Sequence, residues 1–479
     1  MKALVSTGST GGGVGRALVS AGSTGGVVEG ARFGGLDGRR GDGGALVSAA
    51  RGRSAPRAPT VLGMTLGRAS VRSVLRPTSG RESHRVTFVE LFFDLVFVFA
   101  ITQLSHSLIT HPDLPTLGET LLLTVALWWM WINTAWVTNW LHPDHPMVRG
   151  LLFAIMLFAL VLATAIPEAF GDKALVFAGC YVIIELGRSV FAIVALRRDS
   201  PTNAMNFVRI GTWIAVCGVL WIAGALLPEQ RILLWVAAVA LYSAGPITRF
   251  WTPGIGATPL EVWRISGEHI AERAALALII VLGESIIVTG TAFGETSVGI
   301  ESASAFGAAF ASTILMWLLY FNHREQGASE YIAGARETGP IARLSYTYIH
   351  VLLVIGILLT AVADELVLLH PLGEHGAEGH GEAIGSTPWV AGLICGASAI
   401  YLLGNALFTR SVGGPWALSH LLGVLALILL FAFHPLLAPL AVNWLSNLVL
   451  LVVVLADHLA YRMSRHAAPG DEQSVRVAP

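Results

Sequence analysis

Charge is what this chain has least of: 13% of its 479 residues are Asp, Glu, Lys or Arg, against 54% hydrophobic residues and a mean hydropathy of +0.67. A shortage of that size excludes an ordinary soluble domain and points to a polytopic membrane protein. The formal net charge is −1, so no basic field draws nucleic acid, and neither zinc-finger spacing nor a phosphate loop occurs. Only three cysteines are present, Cys180, Cys217 and Cys395, all within apolar runs at separations that suit neither a disulfide framework nor a structural metal site. They read as small packing residues. Nucleophile signatures of the G-x-S-x-G and H-E-x-x-H kind are missing as well, and no cofactor is expected.

Residues 1–83 also lack any apolar period. They repeat A-L-V-S from Ala3, Ala17 and Ala45 and G-S-T-G-G from Gly8 and Gly22, in a Gly- and Arg-rich stretch. Such composition buries too little surface to offset ordering entropy, so the segment reads as a disordered tail, or as upstream sequence ahead of a start at Met64. No apolar h-region follows the N-terminus, and a cleaved signal peptide is not expected. Residues 466–479 read as a second disordered tail, on the cytoplasmic side.

Between the tails, apolar runs recur, each long enough as a helix to cross a hydrocarbon core of about 30 Å. Twelve are counted, at 86–109, 119–141, 149–167, 174–196, 207–227, 231–250, 269–293, 302–322, 342–369, 388–409, 416–434 and 437–461. The loops between them alternate. Arg81 and Arg85, Arg149, Arg197 and Arg198 with Arg209, Arg249 and Arg264, Arg324, Arg336 and Arg343, Arg410, and Arg462 and Arg465 fall on one side; His- and Glu-containing loops fall on the other, where only Lys173 and Arg231 break the rule. Cytoplasmic loops carry the Lys and Arg excess. The expected fold is therefore an all-α polytopic membrane domain over 84–465, with about twelve transmembrane helices and both termini cytoplasmic.

Two parallel six-helix repeats, 84–250 and 264–462, are expected from small echoes between the halves. V-E-L from Val89 and A-E-R from Ala271 each open a run whose far end is polar, and the fourth and tenth runs share a glycine spacing, Gly179 to Gly187 and Gly396 to Gly404.

Polar residues inside such runs are functional candidates by default, because a charge at mid-membrane costs at least about 2.5–3.5 kcal/mol. Glu90 and Asp94 in the first run are four apart, hence one helical turn apart on one face. Two like charges that close in low dielectric cannot both ionise comfortably, so one is expected to keep a proton or to take a cation in its place; pairing with a neighbouring Arg such as Arg85 is the structural alternative. In the seventh run His269, Glu272 and Arg273 share a face, and Glu284 returns near the azimuth of Arg273 three turns later, beside Gly283 and Ser285. Secondary candidates are Glu185 and Arg188, spaced for an intrahelical pair, with His350 and Asn405; the late Asp364 and Glu365 read as interfacial. Trp128, Trp129, Trp131, Trp136 and Trp140 read as interface anchors and packing surface. The loop from His370 places His370, His375 and His380 among glutamates, residue types that suit zinc or nickel, but a Gly-rich loop offers no preorganised geometry and reads as solvated, so no metal is expected.

Three stretches, V-T-F-V-E-L-F-F-D-L-V-F-V-F-A-I-T-Q-L from Val86, R-F-W-T-P from Arg249 and E-H-I-A-E-R-A-A-L-A-L-I-I-V-L-G-E-S-I from Glu268, resemble the bacterial low temperature requirement A family. The resemblance runs from about Val86 to Arg465. It implies a polytopic membrane protein of a family named for a cold-growth phenotype, with Glu90, Asp94 and Glu284 as recurrent carboxylates and His269, Glu272 and Arg273 in the second long motif. A fainter similarity, Arg85 and F-F-D from Phe92, is to endolysosomal potassium channels built of two six-helix repeats; the seventh run lacks that motif.

Functionally, the residues point first to a proton- or cation-coupled transporter of the bacterial cytoplasmic membrane, with Glu90, Asp94 and Glu284 exchanging the coupling ion. A cation channel is the second reading, and an intramembrane enzyme acting on a lipid or lipid-linked substrate, with His269, Glu272 and Glu284 as acid–base groups, is the third. The expected partners are the lipid bilayer and a small ion or solute, with oligomeric state left open.

Overall fold

The computed structural model describes residues 74–76, 86–259, 267–322, 331, 338–373 and 385–466. Arg81, Arg85, His375 and His380, and the expected disorder of nearly all of both tails, lie outside those residues. Among the described residues, eleven helices are long and apolar enough to cross a membrane. They are α1 (Phe88–Thr110), α2 (Leu114–Trp140), α3 (Pro146–Ala165), α4 (Ala174–Leu196), α5 (Pro201–Leu226), α6 (Arg231–Ile247), α7 (Gly267–Glu295), α8 (Ile300–Phe321), α9 (Gly339–Leu369), α10 (Pro388–Ser411) and α12 (Pro439–His466). A shorter apolar helix, α11 (Leu418–Ala432), lies between the last two.

Helix starts follow their caps rather than hydropathy. The second helix begins five residues before the apolar run because Asp113 accepts the Thr116 N–H at 2.8 Å and Pro115 supplies a preset first turn. The fifth begins at Pro201, whose ring presets the first turn without a side-chain cap from Ser200. At 15 residues, α11 spans only about 22 Å. Its far end bonds the start of α10 (Ser386 N–H to His434 O, 3.1 Å), while its near end adjoins the non-helical Gly414–Ala417 and a cavity of about 570 Å³ lined by Pro415, Trp416, Asn322 and Asp457. Irregular backbone at membrane depth is tolerated where it lines such a cavity.

The neighbour order of the first six helices recurs in the last six. α1 packs on α2 and α3, α3 on α4, α4 on α5, α5 on α6, and α6 returns to α2; α7 packs on α8 and α9, α9 on α10, α10 on α11, α11 on α12, and α12 returns to α8. α1 and α7 meet, and α1 also touches α9. Close approach at the α9–α10 seam needs Gly356, where an added Cβ would lie 2.8 Å from the Tyr401 Cβ and 3.1 Å from its Cα. Gly356→Leu is therefore expected to cost about 1–3 kcal/mol of overpacking, read as a lower melting temperature of the purified protein; an unchanged value would show that the seam is loose.

Two corrections to the sequence reading concern what is buried. The tail reaches into the bundle: Leu75 pairs with Leu141, Arg76 N–H bonds the Trp140 carbonyl at 2.8 Å, and the Arg76 residue is 7% exposed. Backbone pairing and a buried guanidinium hold this short piece, neither of which composition reveals. The α2 tryptophans are core rather than interface, none of Trp128, Trp129, Trp131, Trp136 and Trp140 exceeding 9% exposure. Their indole N–H groups bond inward, Trp128 to the Thr347 carbonyl and Trp136 to the Thr347 hydroxyl, steadying a π-helical segment at Arg343–Ile349 in α9.

Candidate functional site

Where α1 meets α7, their N-terminal turns bring together charges that lie about 180 residues apart in sequence. Asp94 and Arg273 form a two-pronged fork, Nη1 to Oδ2 at 2.8 Å and Nη2 to Oδ1 at 2.9 Å, both side chains 1% exposed. Trp131 Nε1 donates to Asp94 Oδ1 at 2.8 Å, and the Arg273 guanidinium lies 5.4 Å from the Trp131 ring centroid. One pair thus receives a planar fork, an indole donor and a cation–π contact.

Glu90, one turn earlier, closes the first turn of α1. Its Oε2 accepts the Thr87 N–H at 3.0 Å and the Thr87 hydroxyl at 2.9 Å, and Arg76 Nη2 stands 3.6 Å away. Its Oε1 faces His269 Nε2 at 3.2 Å and Arg273 Nε at 4.0 Å. Asn139 of α2 approaches His269 Nδ1 at 3.3 Å through its amide nitrogen, a pure donor, so the ring accepts at Nδ1 and turns its N–H towards Glu90. Burial holds the Arg76 guanidinium below its ordinary pKa, and Glu90 opposes that fall. Glu272 is half-buried at the rim and accepts the Val86 N–H at 3.3 Å.

The expectation that Glu90 and Asp94 compete for one proton is not met by this geometry. Each has a guanidinium of its own, Arg76 for Glu90 and Arg273 for Asp94, so two carboxylates face two fixed cations. Spacing within α1 could not show this, because Arg76 comes from the tail and Arg273 from the other half of the chain. Trp131, Asn139 and Arg76 are the members that the sequence reading missed. The signal for Trp131 was its position in a buried run, where an indole N–H needs an acceptor.

Glu284 stands apart. It lies eleven residues beyond Arg273, about 16 Å along α7, with Phe97 and Ile101 of α1 and Leu278 and Val281 of α7 buried between. It is 3% exposed; Thr102 of α1 lies beside it, and no basic group among the described residues acts on it. One of its carboxylate oxygens is buried with no hydrogen-bond partner among the described residues. The adjacent Ser285 hydroxyl meets Thr313 of α8 at 3.0 Å.

The two long motifs are the two helices that build this seam, and residues 85–455 match the family model described as bacterial low temperature requirement A protein. The chain belongs to the bacterial low temperature requirement A family. It is 37% identical over 387 residues to an uncharacterized protein of Rhizobium meliloti (strain 1021), a match covering 80% of this chain and 91% of that protein. No solved structure matches the chain.

In this low temperature requirement A protein the third motif, R-F-W-T-P, forms a tight turn after α6. Arg249 and Phe250 have φ of 56° and 52°, two successive left-handed residues that are not glycine. The turn is held by Phe250 N–H to Gly245 O at 2.7 Å, by the Arg209 guanidinium on the Ile255 and Gly256 carbonyls, and by Trp213 Nε1 on the Trp251 carbonyl. The left-handed region costs a non-glycine residue about 1–2 kcal/mol. Arg249 is exposed, so Arg249→Gly is expected to raise stability by about 1 kcal/mol, measured as a higher melting temperature; a fall would show that its side chain outweighs the strain.

The secondary candidates are not brought to the α1–α7 seam. Glu185 and Arg188 form a buried pair within α4, as their spacing predicts, joined by the Tyr242 hydroxyl at 2.6 Å and by Thr134 at 2.9 Å. His350 Nδ1 donates to the Ser345 carbonyl at 2.8 Å, which leaves Nε2 to accept from Tyr320 at 2.9 Å. That bonding ties the ring to the π-helical segment. Asn405 Nδ2 bonds the Tyr401 carbonyl within α10. His370 caps the end of α9 and is exposed, and no group of three or more metal-ligating side chains occurs among the described residues.

Proposed function

We propose that the chain is a proton- or cation-coupled transporter of the bacterial cytoplasmic membrane, in which Glu284 takes up and releases the coupling ion. The observation that carries this reading is the contrast along one seam. Glu90 and Asp94 are matched by Arg76 and Arg273, whereas Glu284 is buried with no cation beside it among the described residues. An intramembrane carboxylate in that condition has to hold a proton or an ion, and exchange of that charge is how such groups serve transport. Glu90, Asp94, His269 and Arg273 then form the gate at the N-terminal end of α1 and α7, with Glu272 at its rim. Phe97, Ile101, Leu278 and Val281 are the apolar barrier between gate and ion site.

The recurrent neighbour order supports two parallel six-helix repeats, which set α1 beside α7 at the junction of the halves. Counting α11 as a twelfth crossing, the side on which the Arg-rich loops fall supports both termini in the cytoplasm. The test is ion flux into liposomes holding the purified chain: wild type carries protons or an alkali cation, and Glu284→Gln falls to the protein-free background. Unitary currents without dependence on an opposing gradient would replace the transporter by the cation channel, and a lipid product released without flux would replace it by the enzyme.

A further inference from the structure

The C-terminal half holds a second buried carboxyl, at a position that the sequence reads as interfacial. Asp364 of α9 is 2% exposed. Its Oδ1 accepts from Asn443 Nδ2 of α12 at 2.8 Å, with the Ser312 hydroxyl of α8 at 3.4 Å. The single Ser312 hydrogen is better placed on the Ala308 carbonyl, 2.9 Å away, which leaves Asn443 as the one good donor. Asp364 Oδ2 is buried with no hydrogen-bond partner among the described residues, and so is Thr360 Oγ1, one turn earlier on the same helix.

The elements around it bring no compensating charge. α8 presents Ser312, α12 presents Asn443 and Asn447, and α10 presents Ser398, bonded to Ser446 at 3.0 Å. On α7 the ionisable groups of this half are both acidic: Glu284, whose neighbour Ser285 meets Thr313 beside Ser312, and Glu295, which acts on Glu365. On α1, Glu90 and Asp94 lie in the first turns, and His106, in the last, is exposed. Of the other buried carboxylates among the described residues, Glu90, Asp94 and Glu185 each have a guanidinium, and Glu284 shares with Asp364 the lack of one. A carboxylate with one amide donor and no cation is not stable at this depth in apolar surroundings.

We propose that Asp364 is a proton-binding site, its buried carboxyl holding one exchangeable proton, with Asn443 fixing Oδ1 and the Thr360 hydroxyl available to Oδ2. A metal ion is a poor occupant, because hard cations take about six or more oxygens and the site offers two that are uncommitted. The site stands on its own geometry and does not require Glu284 to carry an ion.

The test is infrared difference spectroscopy of the full chain in lipid at neutral pH, reading the protonated-carboxyl C=O band in H2O and D2O. The wild type is expected to show a band that shifts down in D2O and is lost in Asp364→Asn but retained in Glu284→Gln. In Asn443→Leu, which keeps the carboxyl and removes its donor, the band moves rather than vanishes. A band unchanged in Asp364→Asn, a wild-type band that does not respond to D2O, or one unmoved in Asn443→Leu would overturn the assignment. Flux lost in Glu284→Gln bears on transport alone, so the two ideas fail separately.

Discussion

Replacing Arg273 by methionine is expected to destabilise the membrane domain by about 3–5 kcal/mol, the cost of removing one partner of a buried ion pair. That is a large share of a typical folding free energy of about 5–15 kcal/mol. The guanidinium supplies both prongs of the fork on Asp94 and the cation over Trp131, and its loss strands a carboxylate that water does not reach. The second substitution in the same protein makes the prediction specific. Adding Asp94→Leu to Arg273→Met removes the stranded charge, and a buried pair replaced by apolar groups of similar volume is close to neutral in stability. Thermal unfolding of the wild type, the two single variants and the double variant should give a coupling energy well above the roughly 0.5 kcal/mol scatter of independent sites. Additive losses would mean that the fork contributes little.

Glu284→Gln is expected to behave in the opposite way, losing flux and keeping the fold. The amide is isosteric and uncharged, so it removes the exchangeable charge without opening a cavity, and no basic partner is left behind. Its melting temperature should equal or exceed that of the wild type. Asp94→Asn strands Arg273 and should lower stability and flux together. A variant set in which Glu284→Gln melts early while Asp94→Asn does not would exchange the roles given to the two carboxylates.

The fold was largely legible because bilayer thickness imposes a length that hydropathy reports directly. Errors fell at the ends of helices. Asp113 and Pro115 started α2 early through cap chemistry, and α11 stops short of its 416–434 run at each end, its far end giving way to the turn at His434–Leu436. At the site, the sequence picked out Glu90, Asp94, His269, Arg273 and Glu284 as polar residues inside apolar helices. It could not pair them, since neighbours in a bilayer are set by close packing rather than by sequence spacing. Arg76 was hidden in a Gly- and Arg-rich tail, Trp131 among other tryptophans, and Asp364 beside Glu365 near a helix end, where hydropathy does not separate a buried side chain from a solvated one.

Proton and alkali-cation flux, measured side by side in liposomes of wild type and Glu284→Gln with equal reconstitution and matched melting temperatures, comes first. Flux in the wild type that falls to background in the variant is the result expected of an ion site at Glu284. Equal flux in the two proteins, or none from the wild type with any ion, would contradict it.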